Sequence, residues 1–171
     1  MTRIIYYSIL FVCLTIASIE INQHFVSPFY TPLYSELNEE ERKQIDCLTQ
    51  NIYREAGIEE ERGMTAVALV TMNRVKAEKF PSSVCEVVKQ RRKNVCQFSW
   101  MCTKNLPNID ERIYSYSRSL AIKVFFNHDL IDDITEGALF YHATYVKPRW
   151  DNLKVTTKIG RHIFYKPIGE V

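Results

Sequence analysis

The chain is poor in residues that interrupt regular structure, with five Gly and six Pro among 171 residues. That excludes a collagen-like or low-complexity chain and leaves one globular domain with a short appendage. Charge of one sign is also lacking. Twenty acidic against 22 basic residues give +2, so no nucleic-acid partner is expected. No apolar run reaches the ~20 residues of a membrane-spanning helix. Neither an H-x-x-x-H pair nor two cysteines two to four residues apart occur, so neither metal nor cofactor is expected.

What is present begins with cysteine. Cys13 lies in the uncharged run Ile4–Ile19, directly after Arg3. Sixteen residues at ~1.5 Å rise make roughly 24 Å, short of a ~30 Å hydrocarbon core. Residues 1–20 therefore read as a signal peptide or an uncleaved signal anchor, the latter holding residues 4–19 in the membrane. A buried N-terminal helix is the remaining alternative. Export delivers the rest of the chain to an oxidising space. There Cys47, Cys85, Cys96 and Cys102 form an even set, read as two disulfides with three possible connectivities. The preferred pairing is Cys85 with Cys96 and Cys47 with Cys102.

Residues 21–37, with Pro28 and Pro32, read as a tether, and residues 38–171 as the domain. Asn38 before Glu39-Glu40-Glu41 is a capping box, opening a helix that Gly57 ends. Ile45, Leu48, Ile52 and Ala56 mark its buried stripe. Further helices are expected over Gly63–Lys79, Ser83–Lys89 and Asp110–Asn127. Lys89–Lys93 (KQRRK) reads as a solvated basic loop. Ala138–Tyr145, Lys154–Ile159 and His162–Tyr165 are rich in aromatic and β-branched residues, and Gly160-Arg161 marks a hairpin turn. Helices followed by a small sheet give an α+β domain, mainly helical with a C-terminal hairpin or sheet.

Glu55 stands out. It follows Leu48 by seven residues and Ile52 by three, which places it ~20° and ~60° from those core positions. Unpaired carboxylates are rarely buried, and desolvation raises their pKa. A carboxyl protonated near neutrality can deliver a proton to a leaving group. The competing reading is a structural acid paired with Arg54, Arg62 or Arg74. His128 falls at a helix end. His142 and His162 fall in strands, as ligands, a base or core polar residues. Phe98, Trp100, Tyr141 and Trp150 suit either an aromatic platform or a core.

Five collinear stretches, NIYREAGIEEERGMTAVALVTMNRV, FPSSVCEVV, CQFSWMC, ALFYHATYVKPRW and IGRHIFYK, together resemble the SleB-type cell wall hydrolases. The resemblance covers about Asp46 to Lys166, and the four cysteines coincide with positions used in that family's cysteine-bearing branch. It implies a lysozyme-like fold of the lytic transglycosylase kind. It also implies cleavage of peptidoglycan glycan strands between N-acetylmuramic acid and N-acetylglucosamine. The family's catalytic glutamate, in Y-x-E-A, corresponds to Glu55. Its Q-F-S and Y-H segments correspond to Gln97-Phe98-Ser99 and Tyr141-His142, and its P-x-W position to Trp150, all implied to line the glycan cleft. Here Glu55-Ala56-Gly57-Ile58-Glu59 stands where the family commonly has E-A-x-G-E, so the glycine is displaced by one. Two alternatives accompany this reading. One is a zinc amidase that cuts the peptide stem with some of His128, His142 and His162, and the other a non-catalytic, membrane-tethered peptidoglycan-binding module.

Overall fold

The chain parts into two units, residues 1–30 and 31–171, and the computed structural model describes residues 28–169. The apolar run expected to act in export lies outside the described residues. Among the described residues no helix is long and apolar enough to cross a membrane.

The second unit opens with a 3-10 turn, Tyr34–Glu36. Tyr34 Oη donates to the Asp46 carboxylate at 2.8–2.9 Å, and Leu37 is buried in the core. The end of the expected tether is thus part of the domain, because two large apolar side chains gain more from burial than from solvent.

Helix α1 is Glu39–Ala56. Asn38 Oδ1 accepts from the Glu41 amide, and Glu41 Oε2 accepts from the Asn38 amide, both at 2.9 Å. The predicted stripe, Ile45, Leu48, Ile52 and Ala56, is fully buried. Helix α2, Glu61–Lys76, stops three residues before the expected Lys79, and α3 is Val84–Lys89. Helix α4, Glu111–Asn127, starts at Asp110, whose carboxylate accepts from the amides of Arg112 and Ile113.

Helix α2 lies between two apolar clusters. Its Met64, Val67 and Ala68 pack with α1, α3 and α4, while Ala66 and Val70 pack with Ala138, Ile159 and Phe164. Those last residues belong to, or lead into, an antiparallel sheet of β3 (Phe140–Ala143), β4 (Leu153–Ile159) and β5 (His162–Pro167) in the order β3-β5-β4. The basic run is not a free loop. Arg91–Arg92 (β1) pairs with Val95–Cys96 (β2) in a short hairpin, and a 3-10 turn, Ser99–Cys102, follows.

The disulfides join Cys47 to Cys85 and Cys96 to Cys102, which corrects the preferred pairing. Packing of α1 on α3 brings Cys47 and Cys85 to 5.2 Å between Cα atoms. The 3-10 turn folds the chain back so that Cys96 and Cys102 stand 5.9 Å apart. Both separations suit a disulfide.

Candidate active site

Glu55 lies in the last turn of α1, where the buried stripe meets the sheet. Tyr141, on the inward face of β3, donates from Oη to Glu55 Oε2 at 3.2 Å. Burial raises the Glu55 pKa, and the Tyr141 hydrogen bond and the nearby Arg74 charge oppose that rise only in part. The result is a carboxyl that holds its proton beyond the usual range, beside donors that receive the charge once the proton has left.

Arg74 is 2% exposed. Its Nε donates to the Leu139 carbonyl at 2.7 Å. With the Gln97 amide oxygen turned toward it, Nη1 and Nη2 donate at 3.2 and 3.1 Å. The guanidinium lies 5.3–5.8 Å from the ring centroids of Phe80, Phe98 and Phe140, within cation–π range. Burial pushes its pKa down to about 10, against the opposing influence of Tyr141 and Glu55. It therefore stays a cation at neutral pH. Sequence reasoning named Arg74 only as a possible partner of Glu55. The signal was there: Val67, Val70 and Arg74 share one face of an otherwise apolar helix.

The remaining expected residues separate by position. Gln97 is exposed and bonds Arg74, and Ser99 is exposed at the start of the 3-10 turn. Phe98 is 3% exposed and seats Arg74, so it is core and cannot touch a polymer. Trp100 is likewise buried, with Nε1 donating to Asn51 Oδ1 at 3.3 Å. Strand alternation turns Phe140 and His142 away from Tyr141. On that outer face the His142 ring stacks on Tyr165, with Nε2 2.7 Å from its hydroxyl. Trp150, 42% exposed, stands edge-on to both rings. Tyr165 reaches His142 only through the β3–β5 register, which no local sequence pattern shows.

Glu59 is held rather than open to substrate. Its side chain is 8% exposed, and Oε2 accepts from the Arg161 amide in the β4–β5 turn at 3.2 Å. Glu86 is bonded by Ser83 at the start of α3. His128 ends α4 beside Asp129. His162 is buried against Tyr141, and that burial lowers its pKa. Among the described residues no three His, Cys, Asp or Glu side chains form a group able to hold a metal.

A family model described as Cell Wall Hydrolase matches residues 58–165, beginning three residues after Glu55. The catalytic domain of the germination-specific lytic transglycosylase SleB from Bacillus anthracis is 28% identical, with a TM-score of 0.56 over 76% of this chain and 99% of that one. The catalytic domain of the Bacillus cereus SleB protein is 26% identical, with a TM-score of 0.53 over 73% and 91%. No curated protein matches the chain. The fold is thus that of the SleB catalytic domain, and the chain belongs to the cell wall hydrolase family.

Proposed function

We propose that this protein is a peptidoglycan glycosidase of the lytic transglycosylase kind, with Glu55 as its acid and base. The observation that carries the reading is the Glu55–Tyr141 contact above the buried Arg74, in a chain similar to germination-specific lytic transglycosylases. Glu55 gives its proton to the glycosidic oxygen as the bond from C1 of N-acetylmuramic acid breaks. The resulting carboxylate takes the proton of the C6 hydroxyl as that oxygen closes onto C1. The products are a 1,6-anhydro sugar end and a free N-acetylglucosamine end, and Glu55 is again protonated. Hydrolysing glycosidases usually need two carboxyls. The engagement of Glu59 and Glu86 elsewhere favours the one-carboxyl route.

Tyr141 and Arg74 stabilise the carboxylate that forms. Gln97 and Ser99 line the glycan path with Phe98 as its support, and His142 and Trp150 extend it on the outer face of the sheet. Residues 1–20 carry the enzyme out of the cytoplasm as signal peptide or anchor, the tether ends before Tyr34, and the domain works on the wall outside. Digestion of purified sacculi tests the function, with products read by mass spectrometry. Anhydro-muropeptides support it, whereas only reducing ends mean hydrolysis, and released stem peptides mean an amidase.

A further inference from the structure

A groove of about 1490 Å³ runs between the end of α2, the β1–β2 hairpin and the outer end of the sheet. Gln97 and Leu139 line it, and the same two residues bond Arg74. One buried residue, Arg74, thus links the groove lining to the Glu55 site, which its charge reaches. One wall carries Arg91 and Arg92, both exposed. No ion pair among the described residues engages either one. Lys76 and Lys79, at and beyond the end of α2, also line the groove. Glu78 and Asp151 are the acids among the described lining residues. Two neighbouring guanidiniums without carboxylate partners are suited to carboxylate recognition.

From this we infer that the groove binds the acidic peptide stem of the peptidoglycan substrate, with Arg91 and Arg92 taking its carboxylates. The inference rests on the glycosidase reading above. A neutral glycan gives two arginines nothing to pair with. The short peptide on the lactyl ether of N-acetylmuramic acid bears free carboxylates and leaves the glycan sideways. Once a muramic acid sits over Glu55, its stem or a neighbour's enters the groove. The apolar Phe80 and Phe140 lining accepts aliphatic parts of the peptide.

The test compares kcat/KM on intact, teichoic-acid-free sacculi with kcat/KM on the same glycan stripped of stems by an amidase. The wild-type enzyme is expected to prefer the stem-bearing glycan. R91E/R92E lowers that preference about five- to tenfold, the range of two exposed ion pairs. R91K/R92K, which keeps the charge, retains most of it. An equal change on both substrates, or none, overturns the proposal, as does a preference restored only when teichoic acid is left on the wall. If the wild-type chain releases no glycan product from either substrate, the glycosidase reading fails instead. Unchanged melting of the variants excludes a folding defect.

Discussion

At the scale of single residues, Glu55 concentrates the chemistry and shapes the pH behaviour. Glu55→Gln keeps the shape but removes the transferable proton, so glycan cleavage should fall at least ~100-fold, measured as anhydro product released from sacculi. Activity requires the protonated acid at the start of the cycle and declines as pH rises through its raised pKa. Tyr141→Phe removes a hydrogen bond that favours the carboxylate, so the alkaline limb of its pH–rate profile should move to higher pH. Stability has its own sign. A carboxyl with a higher pKa folded than unfolded binds more protons in the folded state, so stability falls as pH rises between the two values. Glu55→Gln lifts that penalty. Thermal melting should show the variant more stable than wild type at neutral pH, and the gap should vanish below an ordinary glutamate pKa, roughly 4.

At the scale of elements, the two bridges do different work. Cys47–Cys85 spans 38 residues and Cys96–Cys102 spans six. On chain entropy the first contributes about 4 kcal/mol and the second about 2 kcal/mol. Denaturant melts of the paired serine variants should follow that order. Cleavage should suffer more from loss of the shorter bridge, which encloses Gln97 to Met101. The β4–β5 turn gives a second test. Gly160 has φ +54°, and a methyl there would stand 2.0 Å from Glu59 Oε2. Gly160→Ala should cost about 1–2 kcal/mol from the left-handed backbone alone, and more through expulsion of the Glu59 carboxylate.

The same elements show what a linear reading reaches. Helix α1, its cap and its stripe followed from short-range pattern, as did the β4–β5 hairpin, because their determinants lie within a few residues. Glu55 was legible for the same reason, as a polar residue on an apolar face. Disulfide connectivity was not, since it depends on which helices pack together. Nor was the burial of Phe98, or the pairing of the KQRRK run into a strand. Those are settled by contacts with Arg74 and with Val95–Cys96, and neither is encoded in local periodicity.

At the scale of the whole molecule, residues 31–171 fold as a helical body with a small sheet laid on α2. The proposed chemistry is completed by chain residues alone, so a strong chelator should leave sacculus digestion unchanged, whereas loss of activity would favour the amidase alternative. Fractionation of cells making the full chain tests the export reading. An anchor partitions with membranes, a cleaved signal leaves a shorter chain in the soluble extracytoplasmic fraction, and retention in the cytoplasm contradicts both. Arg74 has one more consequence. It remains cationic throughout, so in the proposed cycle the protein side of the cleft alternates between one net positive charge and none. It is neutral when the sugar itself becomes positive, and no ion from solution has to enter to balance the books. Turnover at saturating substrate should therefore be nearly indifferent to salt, even where capture of the charged wall is not.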